Sequence, residues 1–332
     1  MNTRQLRHFL AIMDLGSLSA AAQSVHLSVP ALSRSLRALE DELRVPLFDR
    51  QDRRLRPTPY AQDYLQRARR IVFDEKEGAR SLALMRAGEH GPLSFGMGSS
   101  IAMNLLGPMV LQLLADAPGL YLKTLVQSTD VLAAALHREE LDFFIGDVRV
   151  AALDHDLIAE PLHPCTFGWF ARKGHPLARR PRVTIDQLTQ YPLILSGYVD
   201  EAVMLRMADL YGFVLPLQEH FSASTNDVAT VHALITASDA IAPSTDVAMV
   251  SAVRAGTVGR LDVAPALDLE LTLGIVERAG RTRVPAAERA YDLVRSFFAS
   301  TANEVALHLP SKKTPRRSSP PNEPLRRVSR EG

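Results

Sequence analysis

The stretch SVPALSRSLRALEDEL, residues 28–43, decides how the N-terminal part of this chain folds. Past its proline it carries a helical period: Leu32, Leu36, Leu39 and Leu43 fall on one side of a 3.6-residue helix. Pro30, Ser33, Arg34 and Arg37 gather on a well-separated side. Ser28 is a residue type that caps helices. Pro30 is harmless in a first turn, because its missing N–H would have had no intrahelical partner. Serine and arginine bond phosphates and guanine edges, and an exposed proline ring can lie against a thymine methyl. The helix N-terminus itself favours phosphate. Such a helix is either an amphipathic one with a solvated basic face or one that enters a DNA groove. Its neighbours decide between the two.

Upstream, Leu6, Phe9, Leu10 and Met13 mark one face of a first helix, and Gly16 ends it. Ser19 is expected to cap a short second helix through Ala20–Ala22 and Val25, with a tight turn at 26–28 before the third. Two short helices joined by such a turn make a helix-turn-helix. Downstream, Arg50, Arg53, Arg54 and Arg56 lie in a polar loop bracketed by Leu47, Phe48 and Leu55, as in a small β-hairpin wing. Residues 1–70 hold 12 Arg and no Lys against 7 Asp and Glu, and residues 301–332 hold 7 Lys and Arg against 3 Glu. The whole chain is only +1, so the middle is acidic. A basic head on an acidic body points to a polyanion met by the head. DNA is then the expected partner of Ser28, Val29, Pro30, Ser33, Arg34 and Arg37, with Arg50, Arg53 and Arg54 on the wing.

Thr58-Pro59 is a helix start, a hydroxyl cap followed by proline. The helix it opens should run to about Ala87, some 40 Å. Its stripe of Ala61, Tyr64, Leu65, Ala68, Ile71, Val72, Ala79 and Leu82 suggests pairing with a second copy. After the linker GEHGP (88–92) the period changes. Short β-type runs (LSFGM, YLKTLV, DFFIG) alternate with helical stretches at 101–117 and 130–140. A second set follows (FGWF, LILS, HFSA, AIAP), with helices near 200–212 and 226–237. LELTLGIVE and a final helix at 286–299 close the region. This is βαβ grammar, an α/β fold in two halves, and ligands favour the cleft such halves make. Ser99 and Ser100, Ser128 and Thr129, and Ser224 and Thr225 each stand where a strand ends and a helix begins. Free N–H groups and hydroxyls can hold a carboxylate there. Residues 301–332 are rich in Pro, Ser and Arg and are expected to be a disordered basic tail.

Several classes drop out. The single Cys165 excludes an intramolecular disulfide and fits a buried small apolar residue in a reducing compartment. No apolar run reaches a membrane span, and the first residues lack a signal peptide's apolar core. The chain is therefore expected to be cytoplasmic. No metal-ligand spacing recurs around Asp227 and His232, and His163 with Cys165 makes no catalytic set. No phosphate-binding glycine loop is present. Neither catalytic residues, metal nor cofactor is expected. HREELD (137–142) has the look of a helix end with solvated charges.

Residues 4–58 resemble the winged helix-turn-helix of LysR-type transcriptional regulators. The ordered motifs are F-x-x-I, G-S-x-x-x-A-A, L-S-x-P-A-L-S-R-x-L-x-x-L-E and L-F-x-R. The likeness extends more weakly to about residue 300. It implies a winged helix-turn-helix domain (1–58) and a linker helix that pairs two chains (59–88). It further implies a two-lobed effector domain like that of periplasmic binding proteins (92–300). The lobes would be 92–163 with 268–300, and 164–267. The Ser/Thr loops would line the inter-lobe cleft, with Ser196 and Tyr198 on its opposite wall. The resemblance further implies a homodimer or homotetramer on a partly palindromic double-stranded operator and a small metabolite effector. A contact with RNA polymerase is in keeping with such a regulator. The function expected is sequence-specific regulation under an anionic metabolite. A solute-binding α/β protein and a nonspecific DNA binder are the alternatives. Two departures stand out. Val29 replaces the family's usual glutamine, so an apolar contact replaces a bidentate adenine bond and the base preference should differ. Ser238 and Ala240 stand where a Gly-x-Gly turn is common.

Overall fold

The computed structural model describes residues 1–49, 55–87, 92–196, 201–267 and 269–309. Asn2 starts helix α1 (Thr3–Leu15) by accepting the Gln5 N–H while the Gln5 side chain accepts the Asn2 N–H. Gly16, at φ 62°, ends it in the left-handed conformation. Ser17, not Ser19, caps α2 (Leu18–Ser24), because the chain leaving Gly16 is already extended there. Ser19 sits inside the helix. His26, at φ 55°, turns the chain toward α3 (Val29–Leu43), and Ser28 caps α3 by accepting the Ala31 N–H. Strands β1 (Phe48–Asp49) and β2 (Arg56–Pro57) pair antiparallel. Leu6, Phe9, Leu32, Leu36, Leu39 and Phe48 form the centre of one buried core.

Helix α4 (Pro59–Ala87) spans 29 residues, about 43 Å. The expected stripe is buried at one end and exposed at the other, and a second face is buried as well. Ala61, Ala68 and Val72 close the core of the head. Ile71, Ala79 and Leu82, further along the same stripe, are exposed, and Phe73 and Glu77 are buried on a second face.

The remaining elements follow the alternation read from the sequence. They are β3 (Leu93–Met97), α5 (Ser99–Asp116), β4 (Leu122–Val126), α6 (Thr129–His137), β5 (Phe143–Asp147), α7 (Val150–Leu153) and the long β6 (Leu157–Arg172). Then come β7 (Val183–Thr184), α8 (Ile185–Leu188), β8 (Ile194–Ser196), α9 (Glu201–Tyr211), β9 (Ala223–Thr225) and α10 (Val228–Ala237). The last are β10 (Ala242–Thr245), α11 (Asp246–Arg254), β11 (Val258–Leu261), β12 (Val263–Ala264), β13 (Glu270–Arg278) and α12 (Pro285–His308). Two compact units result. The first is Met1–Pro164 with Leu271–Ser296, and the second is Cys165–Glu270 with the chain from Phe297 onward. In the first, β3 lies parallel to both β4 and β5, and β13 runs antiparallel to β5. In the second, β10 and β11 flank β6 antiparallel, and β8 pairs parallel with β9.

Two local expectations need correction. HFSA is not one strand: a 3₁₀ turn covers Leu217–His220, and β9 starts only at Ala223. The final helix continues to His308, into the segment expected to be disordered. Phe298, Thr301 and Leu309 are buried there, and Leu309 joins the core beside α10 and α11. At the end of α10, Ser238 does without glycine: its hydroxyl donates to the Leu234 carbonyl and accepts the Ala240 N–H.

Candidate functional site

Helix α3 keeps its leucines inward and its polar face outward. Leu32, Leu36 and Leu39 are buried, while Ser28, Val29, Pro30, Arg34 and Arg37 are exposed and Ser33 is half-buried. Among the described residues neither Arg34 nor Arg37 has an ion-pair or hydrogen-bond partner. Two guanidinium groups thus stand free on the outer face of α3, an arrangement suited to phosphate and base edges. Two braces hold the helix. His8 Nδ1 of α1 lies 2.7 Å from Ser35 Oγ. Glu40 Oε1 accepts the Leu47 and Phe48 N–H groups at 2.8 and 3.1 Å, pinning the base of the hairpin to α3. Arg50, Arg53 and Arg54 fall outside the described residues.

A second set of residues sits at the ends of β3 and β4. Ser99 and Ser100 are the first two residues of α5, behind the cap residue Gly98, and are not themselves caps. Ser128 is the cap residue of α6, yet its side chain makes no capping bond. All four hydroxyls, those of Ser99, Ser100, Ser128 and Thr129, are half-buried and without a hydrogen-bond partner among the described residues. The strand ends are stitched together: Gly98 N donates to Ile145 O at 3.0 Å, and Gln127 N to Met97 O at 3.3 Å. Two helix N-termini on neighbouring parallel strands, with four uncommitted hydroxyls, can receive an anion.

In the second unit, Ser196 ends β8 and pairs in register with Thr225 of β9. Thr225 is committed in part: its hydroxyl accepts the Asp227 N–H at 3.2 Å. Ser224 is exposed. Tyr198 lies outside the described residues. Asp227, passed over as a metal ligand, is the cap of α10, accepting from Ala229 N and Thr230 N. Among the described residues no group of acidic, His and Cys side chains could hold a metal ion, and no helix is long and apolar enough to cross a membrane.

Known families fit these two sites. The model of the LysR substrate binding domain matches residues 86–299, and that of the bacterial regulatory helix-turn-helix protein, lysR family, matches residues 3–62. The chain belongs to the LysR family. It is a DNA-binding transcriptional regulator with an effector-binding domain, in a family of regulators rather than of enzymes. The SDS degradation transcriptional activation protein of Pseudomonas sp. (strain ATCC 19151) is 32% identical over 302 residues, 90% of this chain and 97% of its own. The HTH-type transcriptional regulator GbpR of Rhizobium radiobacter is 29% identical over 72% of this chain and 79% of its own. A full-length OxyR point variant from Pseudomonas aeruginosa shares the fold, with a TM-score of 0.52 at 23% identity over 89% of this chain and 98% of its own.

The LysR chain also holds two buried polar groups that its sequence did not announce. HREELD ends α6 with His137, Arg138 and Glu140 exposed, as expected, but its Asp142 is not solvated. Asp142 is buried and accepts the Ser94 N–H of β3 at 2.9 Å, Arg281 Nη2 at 3.2 Å and a bond from Arg80 of α4. Glu77 of α4 accepts Arg281 Nη1 and the Thr282 N–H, both at 2.8 Å. Arg278 lies 3.9 Å over the Phe73 ring. This seam joins the linker helix to the sheet that carries Ser99. The other group is Asp246, which accepts from Thr166 N at 2.9 Å, Thr166 Oγ1 at 2.9 Å and the thiol of Cys165 at 3.0 Å. Cys165 is buried as expected but hydrogen-bonded, and burial, then the Asp246 charge, push its thiol well above the usual range.

Proposed function

We propose that this regulator reads its operator with Ser28, Val29, Pro30, Ser33, Arg34 and Arg37 of α3, and touches the flanking backbone through Arg50, Arg53 and Arg54. The head is 1–58, the linker 59–88 and the effector domain 92–300. A small anionic metabolite is met by Ser99, Ser100, Ser128 and Thr129, with Ser196, Tyr198, Ser224 and Thr225 supplied by the second unit. Its binding alters how the heads engage DNA. The exposed Ile71, Ala79 and Leu82 face of α4 supports pairing of two chains, and further association through the effector domains gives a tetramer. The work is done in the cytoplasm, where operator and RNA polymerase are.

The observation that carries this reading is the unpaired, exposed Arg34–Arg37 face opposite the buried leucines of α3. A dimer would set two such helices in successive major grooves. Footprinting upstream of the neighbouring genes should show one discrete site. Arg34→Ala should weaken that site by about 1–3 kcal/mol with the melting temperature unchanged. Unchanged affinity removes Arg34 from the reading surface, and uniform protection of all DNA replaces the regulator with a nonspecific binder.

A further inference from the structure

Outside the head, the described arginine side chains from Arg67 to Arg295 have carboxylate partners, with four exceptions. Arg260 donates to the Phe167 carbonyl. The other three, Arg179, Arg180 and Arg182, stand close together on the second unit, exposed and without a partner among the described residues. Lys173 nearby is in the same condition. The remaining described arginines without a carboxylate belong to the head, Arg34 and Arg37 among them. The chain thus leaves its arginines free where it is expected to meet DNA and in one other place.

That place is stiffly built. His175 is buried and its Nδ1 accepts the Leu177 N–H at 3.1 Å, while its ring meets Tyr191 edge-on at 4.5 Å. Leu177 is buried, and Pro176 and Pro181 restrict the backbone on either side of Arg179 and Arg180. The nearby Asp239 is occupied by Arg172. A stiff turn presents its charges with little left to order on contact.

The chemistry of the patch selects its partner. A lasting protein interface needs an apolar centre, and no large apolar side chain between Arg172 and Val183 is exposed. A phosphate backbone needs only charge. We infer that Lys173, Arg179, Arg180 and Arg182 form a second DNA-contact surface, which takes the phosphate backbone of duplex outside the bases read by α3. The inference rests on the operator-binding reading above.

The test is the full-length triple variant R179A/R180A/R182A, titrated by fluorescence anisotropy on a long operator duplex and on one trimmed to the footprint of the heads. Each phosphate neutralised adds about 0.9 to the slope of log affinity against log salt. The variant should therefore lose up to about 2.7 from that slope per chain engaged. Between 50 and 200 mM salt the wild type should lose about 40-fold more affinity than the variant on the long duplex. On the trimmed duplex the two should agree. The triple lysine variant should keep the wild-type slope, since a phosphate sees the charge. The glutamine triple variant serves if the alanine one melts early. A wild-type slope in the neutral variants, as an acidic protein partner would give, overturns the inference. So does an equal loss in the lysine variant. Failure of the operator reading looks different: the wild type itself then shows no saturable site on either duplex.

Discussion

Asp142→Asn tests whether the seam between α4 and the first sheet is a true buried ion cluster. The carboxylate answers two guanidinium groups and one backbone N–H. Those guanidinium groups are already short of partners, since Arg80 Nε and Arg281 Nε are buried with none. Asparagine keeps the shape and one acceptor but turns a donor toward two cations. Removing one side of a buried ion pair costs about 3–5 kcal/mol, a large part of the roughly 5–15 kcal/mol that holds a domain. At an m value of about 2 kcal/mol/M in urea, the midpoint should fall by about 1.5–2.5 M. The single tryptophan, Trp169, lies in the second unit, so its fluorescence follows that unit while far-UV circular dichroism follows both. The dichroism transition should split, its early part moving to lower urea while the fluorescence transition keeps its midpoint. A shift below about 0.3 M would mean that water already solvates the cluster, and the reasoning would be wrong.

Three other outcomes are expected. Burial, and after it the charge of Arg4, hold His8 below the ordinary histidine value of about 6.5, so the unfolded chain takes up a proton first as pH falls. Stability of the head is therefore full above that value and declines below it; urea midpoints between pH 7.5 and 5.5 should slope, and a slope unchanged in His8→Gln contradicts this. The double variant S99A/T129A should bind the effector, once found by thermal-shift screening of small carboxylates, at least about tenfold more weakly by isothermal titration, because hydrogen bonds to a charged group are worth about 1.5–3 kcal/mol. Equal affinity removes both residues from the site. Cys165, buried and held in its thiol form, should resist iodoacetamide in the native protein and react on unfolding; full labelling of native protein would show that the Cys165–Asp246 contact opens readily.

The head was legible in the sequence because its forces are local. Leu32, Leu36 and Leu39 are buried at helical spacing, Gly16 has the positive φ its position required, and Thr58 sits where a cap belongs. The error at Ser19 was one of choosing between two serines that both suit a cap. The stripe of α4 was legible, but not the buried Phe73 and Glu77 off it, since these are set by distant partners. Asp142 and Arg281 are 139 positions apart, and Glu77 and Arg281 are 204 apart. Nothing in HREELD distinguishes a buried aspartate from a solvated one. The end of α12 failed for another reason. Thr301, Val305 and Leu309 continue the period of Phe298, but averaging over 301–332 drowned these three inward positions in proline, serine and arginine.

The α4 seam also bears on how such proteins can be recombined. Genes for regulators invite cutting at the linker, with one head grafted onto another sensor after GEHGP. Here that cut would separate Glu77 and Arg80 from the Asp142 and Arg281 that they meet. A working chimaera must instead carry residues 73–80 together with 278–283 and Asp142, three pieces of chain that travel as one part although the gene writes them far apart.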